Sequence, residues 1–187
     1  MASATIHTPR LKIEPFSEVH LSARYVGWLN NPQTMQFSEN RHRRHTLEGC
    51  RDYWRSFDGT PNFFWAITTS SLGHIGNLNA YVDERHGTAD VGILIGEAAA
   101  AGKGFGTEAW LGACDHLLRV AGLRKVTGGT IAPNIAMVKI MEHTGMVPDG
   151  CRVGQYLWND QPVDVVHYAF FRDAWLTKYP QGPFAKA

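Results

Sequence analysis

The sequence predicts an α+β domain built on a mixed sheet. Two observations carry that expectation. β-rich runs come in pairs separated by tight turns, as hairpins require. One segment, from Ile93 to Gly122, reads as strand, glycine-rich turn and helix, and a further strand follows it. That order makes a crossover between parallel strands. No repeat, low-complexity linker or composition break interrupts the 187 residues. A single domain over 1–187 is therefore expected, with its core at about 9–173 and a C-terminal tail at 174–187.

Taken in order, Leu11 to Ile13 reads as the first strand. Ser17 is a plausible N-cap for a helix carrying Leu21, Tyr25, Trp28 and Leu29 at helical spacing, with Pro32 ending it. Thr46 is placed to cap a second helix, whose apolar stripe is Leu47, Cys50, Trp54 and Phe57, before Asp58, Gly59 and Pro61 break the chain. Phe63 to Thr69 and His74 to Val82 form a hairpin across the turn SSLG, and Ala89 to Ile95 follows the turn at Arg85 to Gly87. Thr107 to Ala121 is a helix that buries Trp110, Ala113, Cys114, Leu117, Leu118 and Ala121, with Gly122 at C′. Lys125 to Ile131 is the fifth strand. Asn134 caps a short helix that buries Met137, Ile140 and Met141 and stops at Gly145. Two last strands lie near Gly154 to Trp158 and Val163 to Phe171.

Composition narrows the function classes. Hydrophobic residues make up 44% and charged residues 19%, which is ordinary globular material. A formal net charge of +1 argues against bulk nucleic-acid or anionic-membrane binding, so any site for a charged ligand must be local. The apolar runs are too short to span a membrane, and the first residues lack an apolar signal core. Three widely spaced cysteines, Cys50, Cys114 and Cys151, fit reduced thiols in the cytoplasm better than a disulfide framework or a zinc site, and no metal is expected.

The segment Gly102-Lys103-Gly104-Phe105-Gly106-Thr107 is the strongest local signal. Its glycines let backbone amides crowd toward one point, and the helix that follows adds its unpaired N–H groups and positive dipole end. Such a corner suits a phosphate, although a bare GxG before a helix is also an ordinary packing turn. The spacing GxxxxGK[ST] of a P-loop nucleotide hydrolase is absent.

In order along the chain, YVGWLNNPQTMQFSENRHRRHT (from Tyr25), HIGN (from His74), GKGFGTEAW (from Gly102) and NIAMVKIMEHTGM (from Asn134) resemble the GNAT superfamily of acyl-CoA N-acyltransferases. The resemblance spans nearly the whole chain. It points to the branch that includes ribosomal-protein N-terminal acetyltransferases and amino-sugar acetyltransferases. The family signature Gln/Arg-x-x-Gly-x-Gly/Ala falls on Ala101 to Gly106, with Ala101 where Gln or Arg is usual. The resemblance implies a mostly antiparallel sheet splayed between its fourth and fifth strands, here Ala89 to Ile95 and Lys125 to Ile131. It implies acetyl-CoA as donor and no metal. Pantetheine would pair with the backbone of Ile93, Leu94 and Ile95, and the pyrophosphate would sit on Ala101, Gly102, Lys103, Gly104, Phe105, Gly106 and Thr107. Lys103 adds charge there or points to solvent. Asn134 matches the position that contacts the cofactor arm, a role compatible with capping its helix. Gly92 is a candidate bulge that opens the splay.

The chemistry that follows from the resemblance is attack of an amine on a thioester. The enzyme must deliver a neutral amine, hold the carbonyl and stabilise the leaving thiolate. Asp90 and His86 are the base candidates, with Glu84 beside them at the start of the fourth strand. Asp90 shares a strand face with Gly92 and Leu94. Many relatives carry a Tyr acid where Met141 stands, so Tyr156, Tyr168 or water must protonate the thiolate, and His143 lies one turn beyond. An α-amine has a pKa near ~8 and a lysine near ~10.4, a gap worth about 3.4 kcal/mol at neutral pH. A site without an evident strong base therefore fits an α-amine or amino-sugar amine better than a lysine.

Arg41-His42-Arg43-Arg44-His45 is the densest charge run, where this branch builds its acceptor wall. Arg41, Arg43 and Arg44 are candidates for receiving an anionic acceptor such as a nucleotide-sugar diphosphate or an acidic peptide; a solvated loop is the alternative. Trp28, Phe37, Trp54 and Trp65 line an acceptor cleft or belong to the core. The leading expectation is an acetyl-CoA-dependent N-acetyltransferase acting on an amino-sugar nucleotide or a protein N-terminus, with a homodimer possible. The rivals are a xenobiotic-amine acetyltransferase and a silent acyl-CoA-binding module.

Overall fold

The computed structural model describes residues 4–185. Eight strands form one sheet in the order β1-β2-β3-β4-β5-β6-β8-β7. They are β1 (Ile6–His7), β2 (Lys12–Pro15), β3 (Phe63–Thr69), β4 (Gly73–Asp83), β5 (Thr88–Ile95), β6 (Lys125–Ile131), β7 (Val147–Trp158) and β8 (Gln161–Phe171). Every neighbouring pair is antiparallel except β5 and β6, the pair joined by the crossover. The helices are α1 (Ala23–Leu29), α2 (Pro32–Met35), α3 (Leu47–Arg55), α4 (Phe105–Asp115), α5 (Ile135–Thr144) and α6 (Arg172–Lys178), and α4 runs on into a π-helical turn at His116–Val120. The fold is the expected α+β domain.

Strand alternation divides the buried residues between two faces. Trp65, Ile67, Leu78, Val91 and Val126 point to one side, where Trp110, Leu117 and Leu118 from the α4 region, Met141 of α5 and Trp175 of α6 complete the larger core. Phe64 and Ala66 point to the other side and pack with Phe16, Tyr25 and Trp28 of α1 and Cys50 of α3. One face is thus fully covered, while the other is covered only over β3 and its neighbours.

Several boundaries differ from the sequence reading for local reasons. Ser17 caps only a 3-10 turn, Glu18–His20; Ser22 caps α1 by accepting the amide of Tyr25, and Pro32 opens α2 rather than ending α1. Thr46 does cap α3, but Leu47 is exposed. The glycine-turn helix starts at Phe105, two residues before Thr107, because Gly104 takes a left-handed φ of 76° and serves as its N-cap. The last hairpin is much longer than expected; it closes through Asn159 and Asp160, both at positive φ, as a two-residue turn of this twist requires. The segment assigned to a tail contains α6, whose Trp175 is 2% exposed against Phe170, with its indole N–H donating to Asp115 at 2.7 Å.

Candidate active site

The β5–β6 pairing lasts only from Thr88↔Lys125 to Asp90↔Thr127. Beyond that point the strands part, and among the described residues nothing pairs with the β6-facing edge of β5. This is the splay expected between Ala89–Ile95 and Lys125–Ile131. Its cause is not a bulge at Gly92, because β4 and β5 stay in unbroken register from Asp83↔Thr88 to Gly76↔Ile95. Gly92 supplies space instead: a Cβ there would lie 2.7 Å from Oδ1 of Asn79.

Two cavities meet on this stretch. A cleft of about 610 Å³ runs between the parted strands; Asp90 to Ile95 form one wall, and Gly129 to Ile131, Asn134 and Met137 form the other. A second cavity of about 440 Å³ lies under α1 and α3, floored by Asn77 and Asn79 and bordered by Tyr53, Arg43 and Arg44. Gly92, Ile93 and Leu94 line both.

The glycine loop sits at the far end of the cleft, where Gly106 joins its wall. Ala101 closes the 3-10 turn Ala98–Ala100, and Gly102 (φ 70°) and Gly104 turn the chain into α4. The first i→i−4 bond of α4 runs from the Glu108 amide to Gly104 O, so the amides of Phe105, Gly106 and Thr107 lie ahead of the helical ladder, free for an anion. The loop is fixed from behind. Glu108 is 6% exposed and accepts bonds from the Thr8 hydroxyl (2.6 Å), the Arg10 amide (2.8 Å) and Arg10 Nε (2.6 Å). Burial opposes its ionisation, but these donors outweigh it and hold its pKa below the usual value. Arg10 also donates to Lys103 O and lies 4.8 Å over the Phe105 ring. A cation thus reaches a loop that has none at Ala101.

Asn134 caps α5 by accepting the Met137 amide at 3.3 Å, and it donates to Thr130 Oγ1 at 3.0 Å. It lines the cleft with its carboxamide already engaged at both ends.

Asp90 points into the cleft. Its carboxylate accepts the Thr127 hydroxyl at 2.8 Å, and surrounding protein raises its pKa against the lowering effects of that bond and of His167. His86 is not brought to it. It lies in the exposed β4–β5 turn, where its amide binds Asp83 and its carbonyl accepts Arg124, and it lines neither cavity; Glu84 shares that turn. The register brings His167 there instead. It pairs with Gly129 across β6 and β8, lines the cleft, and has a buried Nε2 without a hydrogen-bond partner among the described residues. Gly129 makes this possible, since a Cβ would meet the His167 ring at 2.6 Å. β6 pairs continuously with β8 through both Gly128 and Gly129.

Of the tyrosines, Tyr156 lines the cleft. Tyr168 lies one residue out of phase with His167, on the opposite face, and donates to Glu142 at 2.9 Å. Met141 is fully buried in the core. The arginines of the charge run diverge. Arg43 and Arg44 line the second cavity, whereas Arg41 is spent on Glu39, Ser38 O and Leu157 O. That last bond, with Trp158 donating to Gln36 O and its ring tilted 5.6 Å from that of Phe37, ties the β7–β8 hairpin to the α2 segment. Among the named aromatics, Trp28 and Trp65 are core residues.

No helix of the described residues is long and apolar enough to cross a membrane, and no cluster of three metal-ligating side chains occurs among them.

Comparison with known proteins gives three findings. The model of the acetyltransferase (GNAT) domain matches residues 10–147. No curated protein sequence matches. Solved structures share the fold at low identity. A GNAT-family acetyltransferase from Bacillus anthracis has a TM-score of 0.77 at 16% identity, over 91% of this chain and 99% of its own. Spermidine N-acetyltransferase from Vibrio cholerae, in complex with CoA and spermine, has a TM-score of 0.78 at 18% identity, over 88% and 96%. RimL, a ribosomal L7/L12 alpha-N-protein acetyltransferase in complex with coenzyme A, has a TM-score of 0.79 at 17% identity, over 91% and 99%.

Proposed function

The chain belongs to the GNAT acetyltransferase family, and from that premise we propose that it moves acetyl from acetyl-CoA to a primary amine entering through the α1–α3 cavity. The observation that carries this reading is the meeting of two cavities on Gly92, Ile93 and Leu94. A donor in the splay and an acceptor under the helices would have the thioester as common ground. The residues fit the donor. The amides of Phe105, Gly106 and Thr107 take the pyrophosphate, and Gly102 and Gly104 give the loop its turn. The open edge of Ile93 to Ile95 receives pantetheine as a strand would and polarises the carbonyl with a backbone N–H. Asn134 holds the wall against which the arm lies.

Transfer is a direct displacement. The amine nitrogen forms a bond to the acetyl carbon, the carbon–sulfur bond breaks, and the electron pair leaves on the CoA sulfur. Asp90 accepts the ammonium proton. Its raised pKa brings a carboxylate nearer to working pH, and His167 stands beside it as a relay. Tyr156, whose side chain lines the cleft, protonates the thiolate in this reading.

Arg43 and Arg44 at the acceptor cavity favour an amine that carries an anionic group, as amino-sugar nucleotides and acidic protein N-termini do. The cavity has no carboxylate among its described lining residues, which disfavours a polyamine although relatives of this fold acetylate spermidine.

A thiol-release assay with acetyl-CoA tests the proposal on amino-sugar nucleotides, acidic N-terminal peptides and polyamines. Turnover is expected on one of the first two classes. Arg43→Ala with Arg44→Ala should raise the acceptor KM and leave the acetyl-CoA KM unchanged. Binding of CoA with no turnover on any amine would establish a silent module, and preferred turnover of polyamines would overturn the acceptor assignment.

A further inference from the structure

Asn77 is a buried polar side chain that the fold and the proposed chemistry leave without a role, and, unlike the indoles of Trp65 and Trp110, it borders a cavity. It sits in the middle of β4, opposite Ala66 on one side and Leu94 on the other, and is 8% exposed. Its Oδ1 is buried and has no hydrogen-bond partner among the described residues. A buried amide oxygen left unbonded is destabilising. Leucine would fill a similar volume without that penalty, and both neighbours across the sheet are already apolar. The cost is therefore accepted at a place where the carboxamide borders the α1–α3 cavity.

Asn79 extends the pattern. Two residues further along β4, it shares the face of Asn77 and lies roughly 7 Å away along the strand. It leans over Gly92, where a Cβ would lie 2.7 Å from its Oδ1. Asn79 thus stands at the junction of the cavities, and Asn77 one step deeper under the helices. Tyr53 closes the same cavity from α3; its hydroxyl is tied to Tyr81 at 2.9 Å, and burial together with that bond keeps the phenol neutral.

We propose that the carboxamides of Asn77 and Asn79 form the acceptor-recognition floor, with Asn79 taking a hydrogen bond from the attacking amine beside Gly92 and Asn77 binding a second neutral polar group of the same molecule. This rests on the acetyltransferase reading of the site. The amide of Asn77 can turn about its last bond, so it offers an oxygen or an N–H to its ligand. The acceptor class this selects is an amine whose near neighbour, one strand step away, is a hydroxyl or an amide, with the anionic portion further out toward Arg43 and Arg44. An amino sugar or a peptide N-terminus has that layout; a simple alkylamine does not.

Asn77→Leu and Asn79→Leu test it through two independent readouts. In the free protein Asn77→Leu should raise the thermal midpoint, because it removes an unbonded amide that no protein group satisfies. In the thiol-release assay Asn77→Leu and Asn79→Leu should each raise the acceptor KM about five- to tenfold, the worth of one neutral hydrogen bond, with the acetyl-CoA KM unchanged. A lowered midpoint for Asn77→Leu would mean that the amide serves the fold, and a wild-type acceptor KM in both variants would mean that it serves no acceptor; either overturns the inference. Failure of the acetyltransferase reading is distinct: the wild-type protein would then bind CoA but release no thiol with any amine, while the midpoint of Asn77→Leu still decides whether the amide is reserved for a ligand.

Discussion

Asp90 shows how a single residue acquires its chemistry from its surroundings. In open solvent it would be an ordinary carboxylate. At the last paired position before the strands part, its side chain faces the open cleft and remains exposed, yet one hydroxyl is bonded to it and the protein around it displaces enough water to raise its pKa. A carboxyl group whose folded pKa exceeds its unfolded value binds its proton more tightly in the folded state, so ionising it at neutral pH opposes folding. Asp90→Asn should therefore leave stability unchanged or improve it, with the Thr127 contact retained by the amide oxygen. Activity should move the other way. If Asp90 is the base, kcat falls by about 10²- to 10⁴-fold. The wild-type kcat/KM should rise with pH through a pKa raised above the ordinary aspartate value and be lost as pH falls through it, and Asp90→Asn should lack that limb. A pH–rate profile beside a melting curve checks both halves. That Asp90 faces the splay was legible from the alternation of its strand. His167 was not, because its partner in the cleft is Gly129, 38 residues earlier, and only strand pairing brings them together.

At the level of elements, the glycine-loop corner depends on a clamp formed by three of them. The turn between β1 and β2 supplies Thr8 and Arg10, α4 supplies Glu108, and the glycine loop supplies Lys103 O. The glycines give the loop its path, while the clamp holds it there. Glu108→Gln weakens both charge-assisted bonds to Arg10. Since Arg10 is half exposed, the expected loss is about 1–2 kcal/mol rather than the full worth of a buried pair. The functional mark of that loss should be a raised acetyl-CoA KM at an unchanged acceptor KM. Steady-state kinetics with each substrate varied in turn distinguish this from general destabilisation. Sequence spacing identified GKGFG and the Asn134 cap, since both are written in consecutive residues. It gave no sign of Arg10, which lies 93 residues before the carbonyl it binds. The splay was expected from the resemblance, but its placement after Asp90 and Thr127 came from where the register of β5 and β6 ends.

Across the whole molecule, the two faces of the sheet do different work. One is covered by α4, α5 and α6 and holds the larger core; the other is only partly covered by α1 and α3 and holds the second cavity, while the cleft passes between the parted strands to Gly106 of α4 and Met137 of α5. Trp175 belongs to the closed face. Trp175→Ala should destabilise the protein by about 3–5 kcal/mol, the range for removing a buried Trp, and leave both KM values of the folded enzyme unchanged. Chemical denaturation measures the first and kinetics below the unfolding transition the second. A variant truncated at residue 173 should fail to fold for the same reason, although that boundary looked acceptable from composition. By itself the sequence determined what is local: the strand and helix order, the caps at Thr46 and Asn134, the turn at Gly102 to Gly106, and through them the family. Those features depend on neighbouring residues, so spacing and side-chain chemistry suffice to read them. Only the tertiary structure decided which face each strand residue occupies and which distant groups meet. It set His86 aside in a turn, put His167 beside Asp90, tied Arg41 to the β7–β8 hairpin, and left Asn77 Oδ1 without a partner among the described residues beside the α1–α3 cavity. Those outcomes follow from sheet register across long stretches of chain, which moves a side chain from one face to the other with a shift of a single residue.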